Sequence, residues 1–217
     1  MKYFHRRKYT LNEFFLDRWT SEMAYVLGFW FADGYMRKEK SYRIVFSSND
    51  SEILQQIRRV LGSSHPLHQQ KNDQTWQLVI HSKYMYEKLS QLGGIRKKSL
   101  IMDFPDIPSK YLKDFIRGYF DGDGSVFYIN YLSTKNNKPH RELRSNFTSG
   151  SRKFLEKLMK ILNKEIGITI KKLSNYSQDH SLKLGYGTQD TQTLLKFIYY
   201  PNFPIGLKRK AQFLSST

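Results

Sequence analysis

The chain repeats itself. The nine residues Val26 to Gly34 (VLGFWFADG) match Ile116 to Gly124 (IRGYFDGDG) at an offset of 123 − 33 = 90. Ile44–Ser48 then matches Ser145–Ser149, Trp76–Ser82 matches Leu182–Thr188, and Gly94–Ser99 matches Gly206–Ala211. The offset only grows, to 206 − 94 = 112, as loop insertions in the second copy produce. Four ordered matches at a drifting offset require two copies of one supersecondary plan. Few folds satisfy that. We place the first half at 1–102, a linker punctuated by Pro105 and Pro108 at 103–109, and the second half at 110–217.

Each copy reads helix, two strands, helix, two strands, helix. Helices are expected over 22–32 and 110–121, with Ser21 and Ser109 as N-caps and a left-handed glycine stopping each at Asp-Gly. Alternation predicts strands at 42–48 and 140–148, and outer strand pairs at 67–71 with 76–82 and 169–176 with 181–187. Helical apolar spacing covers 50–62 and 151–166, and further helices are expected at 83–92 and 189–199.

The two nine-residue motifs carry the chemistry. Gly28 with Ala32, and Gly118 with Gly122, stand four apart and share one helix face. Two such faces can approach backbone to backbone. The two helix C-termini then meet, with Asp33 and Asp123 side by side in the negative end of both helix dipoles. Such a place favours a divalent cation with hard oxygen ligands and suits phosphodiester hydrolysis by activated water. A single Asp-Gly helix end is commonplace; two in matching repeats are not.

Charge agrees. The 217 residues hold 36 Lys+Arg against 19 Asp+Glu, a net +17, with 15% aromatics. A pI near 9.9 points to a polyanion, most often nucleic acid. No apolar run is long enough for a membrane span and no secretory signal is expected. With no cysteine, disulfides, thiolate zinc sites and cysteine nucleophiles are excluded. The histidines show no metal-ligand spacing. An intracellular protein is expected, in a prokaryotic cytoplasm or a eukaryotic organelle.

Over residues 20 to 214 the chain resembles the LAGLIDADG homing endonucleases, in the single-chain form with two motifs. The resemblance implies an α+β fold: two pseudo-symmetric αββαββα halves packed through the LAGLIDADG helices, with antiparallel sheets forming a DNA-binding saddle. It implies that Asp33 and Asp123 bind Mg²⁺ with help from the carbonyls of Ala32 and Gly122, Mn²⁺ substituting and Ca²⁺ supporting binding without cleavage. Position six of the motif is Phe31 in one copy and Asp121 in the other, and is not a metal ligand. A basic residue near the centre is also implied. Repeat-matched Lys98 and Lys210 are the choice, and a register good to one residue also admits Lys97 and Arg209. Where many relatives carry Gln after the motif, this sequence has Ser48 and Ser149.

On such a saddle, strand alternation turns Ser41, Arg43, Val45 and Ser47 toward DNA, with Arg37 beside them. The same parity exposes Glu142, Arg144, Asn146 and Thr148. On the outer strands it exposes His68, Gln70, Gln77 and His81, then Lys172, Ser174, Tyr176 and Lys183. Arg, Gln and Asn suit base edges, and lysines suit phosphates. The halves differ at nearly every outward position. The expected function is therefore a monomeric endonuclease making a double-strand break in an asymmetric site of roughly 20 base pairs. Short 3′ overhangs and intron mobility are implied with it. The alternatives are an intron-RNA maturase and a non-cleaving DNA-binding protein on the same scaffold.

Overall fold

The computed structural model describes residues 8–38, 41–71, 73–95, 101–132, 137–175 and 181–214. The first half runs α1 (Ser21–Asp33), β1 (Gly34–Lys38), β2 (Tyr42–Ser48), α2 (Ser51–Val60), β3 (Leu67–Gln69), β4 (Trp76–His81) and α3 (Lys83–Gln91). The second runs α4 (Leu112–Asp123), β5 (Gly124–Leu132), β6 (Pro139–Ser149), α5 (Arg152–Ile166), β7 (Ser174–Asn175), β8 (Leu182–Tyr186) and α6 (Thr188–Ile198), with a short α7 (Lys208–Ala211) added. The two four-stranded sheets have the same antiparallel order, β1-β2-β4-β3 and β5-β6-β8-β7. Even the register repeats, since Ser47 faces Gln77 and Thr148 faces Lys183. Among the described residues no helix is long and apolar enough to cross a membrane.

Helix α1 buries every residue from Met23 to Phe31. A helix apolar all round belongs at the centre of a core, not on its surface. Each large side chain so buried contributes about 1.5–3 kcal/mol. Helices α2 and α5 are amphipathic and cover the backs of the two sheets. Asp50 caps α2 by accepting from Glu52 N–H, and Ser151 caps α5 by accepting from Phe154 N–H.

The two central helices run parallel and touch through glycine. A Cβ on Gly28 would lie 2.0 Å from the Phe115 carbonyl oxygen, and one on Gly118 would lie 2.1 Å from that of Tyr25. Below this crossing, α4 is pinned to its own half by a fully buried pair, Arg117 to Asp114 at 2.8 Å. Arg117 also donates to the carbonyls of Ile198 and Ile205, and Tyr200 donates to Asp114. These contacts support a charge pair that would be costly if left alone, although Asp114 Oδ2 has no hydrogen-bond partner among the described residues.

Local details depart from expectation at the helix ends. The N-cap of α1 is Thr20, which accepts from Met23 N–H at 3.0 Å, and not Ser21. Before α4, Ser109–Tyr111 forms a 3-10 turn, so Ser109 caps nothing and Tyr111 takes the cap position without a side-chain bond. Neither Gly34 nor Gly124 is left-handed; both are extended, at φ −101° and φ −95°. Each helix passes straight into a strand. Glycine is needed there for space, because a Cβ would lie 2.2 Å from the Trp30 ring or 2.3 Å from the Phe120 ring.

Candidate active site and nucleic-acid interface

The parallel crossing decides where the two motifs end. A Cβ on Gly122 would sit 2.4 Å from the Ala32 Cβ and 3.2 Å from Asp33 Oδ2. Gly122 is thus a notch that admits the Asp33 carboxylate beside the residue preceding Asp123. Both aspartates are half-buried at the last helical position. Their joint field reaches nearby groups. The Tyr119 phenol is raised well above its ordinary range first by burial and next by Asp123, with Asp33 adding to it. Tyr119 donates to the Thr148 carbonyl, and the Thr148 hydroxyl donates to the Asp123 carbonyl at 2.8 Å. The second sheet thereby holds the end of α4.

Behind this point lies a polar cluster that sequence did not reveal. Asp121, 4% exposed, accepts from the phenols of Tyr25 and Tyr199 and from Leu207 N–H. Burial raises its carboxyl despite the opposing pull of Lys210. Lys210 is 5% exposed and donates to the carbonyls of Phe120, Asp121 and Gly124 at 2.6, 2.9 and 2.7 Å. An ammonium has three protons. All three go to the C-terminal turn of α4, where a cation offsets the helix dipole. Burial lowers Lys210 to about 8, against the favourable pull of Asp121. It is a cap behind the aspartates.

Among the described residues, Arg209 is a cation that opens beside Asp33. It lines one cleft with Asp33, Gly122, Ser47, Ser48 and Asn49, and pairs with Asp50 of the other half at 3.4 Å. Lys98 and Lys97 lie outside the described residues. A divalent cation fits this place: an aspartate ends each helix, and the Gly122 notch leaves room for the Asp33 carboxylate. Among the described residues no group of three His, Cys, Asp or Glu could hold a metal. Two carboxylates with carbonyls from Ala32 and Gly122 would suit a hard divalent cation that retains waters for its other positions.

On the first sheet, Ile44, Phe46, Leu78 and Ile80 are buried toward the helices. Alternation turns Arg37, Arg43, Ser47, Gln77 and His81 the other way, with His68 opposite Gln77. Ser41 lies just ahead of β2 and accepts from Arg43. Gln70 is exposed in the turn after β3. Val45 shares the outward face but is covered, at 2% exposure, between Tyr35 and Val79. Arg37, Arg43 and His81 stand directly opposite one another across three strands. Like charges in register are unfavourable without an anion, and burial, with Arg43 next, lowers the His81 pKa.

The second sheet turns Glu142, Arg144, Asn146, Thr148, Lys183 and Ser174 outward. Two are less available than expected: Asn146 is 4% exposed, and Thr148 is bonded to Asp123. Glu142 accepts from Arg144 at 3.0 Å. Lys172 is exposed ahead of β7, outside any strand. Tyr176 lies outside the described residues. Sequence reasoning missed Tyr35, Phe127, Ile129 and Tyr131, which share these faces by register with Val45, Arg144, Glu142 and His140. The missing signal was the run from Asp-Gly directly into a strand, which sets the parity of β1 and β5.

The LAGLIDADG-like domain matches this chain twice, over residues 20–93 and 110–184. Two proteins of Methanocaldococcus jannaschii are similar over 48% of this chain. One, DNA-directed RNA polymerase subunit Rpo1C, is 31% identical across 13% of its own length; the other, an uncharacterized protein, is 26% identical across 39%. The chain therefore spans well under half of either relative. Similar solved structures include the I-LtrWI LAGLIDADG homing endonuclease bound to target DNA, at TM-score 0.60 and 12% identity over 92% of this chain and 87% of that one. Variants of the homing endonuclease I-DmoI give 0.61 and 17%, covering 88% and 97%. I-SmaMI bound to uncleaved DNA in the presence of calcium ions gives 0.62 and 14%, covering 91% and 89%.

Proposed function

This chain belongs to the LAGLIDADG family, with two such domains in one polypeptide, and on that premise we propose that it is a site-specific DNA endonuclease. The observation that carries the reading is the Asp33–Gly122–Asp123 junction, set where both sheets begin. Asp33 and Asp123, with the carbonyls of Ala32 and Gly122, would hold divalent cations. Such an ion, when bound, supplies activated water and stabilises charge on a phosphate. Arg209 faces the same cleft and adds a cation for the developing negative charge. Lys210 and Thr148 hold the α4 end still, so that the carboxylates need not reorganise.

The sheets supply position and sequence reading. The Arg37–Arg43–His81 row is a phosphate- or guanine-seeking surface, and Gln77, Ser47 and Lys183 suit base edges or backbone nearer the centre. The finer proposals are a monomer on double-stranded DNA and an asymmetric site of roughly 20 base pairs. A Mg²⁺-dependent double-strand break with short 3′ overhangs, serving intron mobility inside the cell, completes them.

The test needs no known target. Purified protein is incubated with Mg²⁺ and fragmented genomic DNA lacking its own gene insertion, and new ends are captured and sequenced beside an Asp123→Asn control. Recurrent paired ends at one sequence, absent from the control, are expected. Ends that persist in Asp123→Asn would overturn the shared metal site. No recurrent ends at all would overturn the endonuclease and make intron RNA the next partner to test.

A further inference from the structure

The two sheets do not reach equally far. Strands β1 and β2 pair over five residues, Gly34 to Lys38, whereas β5 and β6 pair over nine, Gly124 to Leu132. By the motif offset, Tyr128 corresponds to Lys38, so Ile129–Leu132 and Pro139–Glu142 extend past anything in the first half. Four residues of strand span about 13 Å, close to four nucleotides at ~3.4 Å each.

This extension is braced. On its back, Arg141 stacks over the Tyr128 ring at 3.7 Å, and Tyr128 lies against Phe213 at 5.6 Å between ring centroids. On its front, Tyr131 and His140 face each other across the strands with rings stacked at 5.8 Å, and Tyr131 is 47% exposed. Leu132, on the back by alternation, is 61% exposed. No acidic residue occurs from Asn130 to Arg141, while Lys138 and Arg141 are basic. The front continues the outward face that carries Ile129, Phe127 and Arg144. An exposed ring pair on a braced arm, whose one acidic residue, Glu142, is paired with Arg144, suits a polyanion with apolar edges, and duplex DNA offers phosphates, sugars and thymine methyls together.

Resting on the reading of the sheets as a DNA surface, we infer that the β5–β6 extension lengthens the second half-site by about four base pairs through Tyr131 and His140. The cut then falls off-centre in the protected DNA. The target is selected from randomised duplex DNA by full-length protein in Ca²⁺, and the complex is mapped by hydroxyl-radical footprinting. Two variants are compared: Tyr131→Ala/His140→Ala, and a short form with residues 130–141 replaced by Asn-Gly, a two-residue turn suited to closing Ile129 on Glu142.

Both variants should lose about four base pairs of protection from one end only. They should bind the full site about tenfold more weakly, the size of one lost base-pair contact. On DNA trimmed by those base pairs at that end, wild type and both variants should bind equally, which also shows the variants are folded. Footprints that shorten at both ends or at neither, or a tenfold deficit that persists on trimmed DNA, would overturn the inference. A one-ended loss of protection without any cleavage in Mg²⁺ would instead overturn the nuclease and leave the extended arm standing.

Discussion

Gly118→Ala asks the central helix crossing to accept one methyl group. That Cβ would stand 2.1 Å from the Tyr25 carbonyl oxygen and 2.8 Å from the Phe29 nitrogen. Both are helix backbone and cannot rotate away, so α1 and α4 must part by roughly 1 Å to restore ordinary contact. Overpacking of this kind costs about 1–3 kcal/mol or more, because the flanking layer of Phe29, Phe31 and Phe115 loses close packing as the helices separate. At about 2–4 °C per kcal/mol for a chain of this size, the melting temperature should fall by roughly 5–10 °C. Gly185→Ala is the matched control, since the nearest atom to its Cβ is the Lys183 Cε at 4.0 Å; it should stay within about 0.5 kcal/mol. Thermal melts by circular dichroism measure both. The same retreat would draw Asp33 from Asp123, so Gly118→Ala should also cleave more slowly at a temperature where it remains folded. Melting of Gly118→Ala within 1–2 °C of Gly185→Ala, to take roughly the scatter of surface substitutions, would refute backbone-to-backbone crossing.

Asp33→Asn should lower Mg²⁺-dependent cleavage by about a thousandfold, the several kcal/mol a bound metal supplies, while Ca²⁺-supported DNA binding stays within about threefold; equal losses in both would make Asp33 a binding residue. Arg209→Ala removes an exposed side chain, so the melting temperature should hold while the single-turnover rate falls at least about tenfold. Lys210→Met should do the reverse first, unfolding roughly 10 °C earlier because it strands Asp121 and three carbonyls in the core. An unshifted melt would deny the cap. Tyr25, Tyr119, Tyr186 and Tyr199 are buried with raised phenol pKa values, caused first by desolvation. Raised groups stabilise fully below the unfolded value of about 10 and lose that contribution as pH climbs past it. Stability should therefore drop steeply above pH 10, by up to about 5 kcal/mol per pH unit if all four phenols ionise on unfolding. Lys210, lowered to about 8, opposes this only between there and about 10.5, where its proton is bound by the unfolded chain alone. A melt temperature flat from pH 10 to 11 would contradict the burial of these rings.

Much of this architecture is legible before any coordinates, because a repeat constrains twice. Matched positions such as Ser47 with Thr148 and Gln77 with Lys183 follow from offsets alone, and parity then places Arg43 and His81 outward. What escaped are features set by the third dimension. Val45 looks outward by parity yet is covered by Tyr35 and Val79, since burial depends on the side chains presented by the strands on either side. Glycine at 34 and 124 suggests a left-handed stop, but the true constraint is a ring belonging to the preceding turn. Lys210 reads as one more cation in Lys-Arg-Lys, and only the fold shows that Arg209 meets solvent while Lys210 turns inward. The aspartate pair was legible because helix periodicity carries Gly118 and Gly122 to the same contact.

Position six of the two motifs has a consequence for exchange between the halves. In one it is Phe31, edge-on to Phe115 and stacked on Phe154; in the other it is Asp121, served by Tyr25, Tyr199 and Leu207. One donor to that carboxylate, Tyr25, comes from the opposite half. A symmetric protein built from two second halves would lack that tyrosine and set two buried carboxylates near one another, and one built from two first halves would set two phenylalanines there and leave a tyrosine with no acceptor. The contact has become a lock with unlike sides, so duplication can have produced this chain, but separation into identical subunits would now fail at the seam.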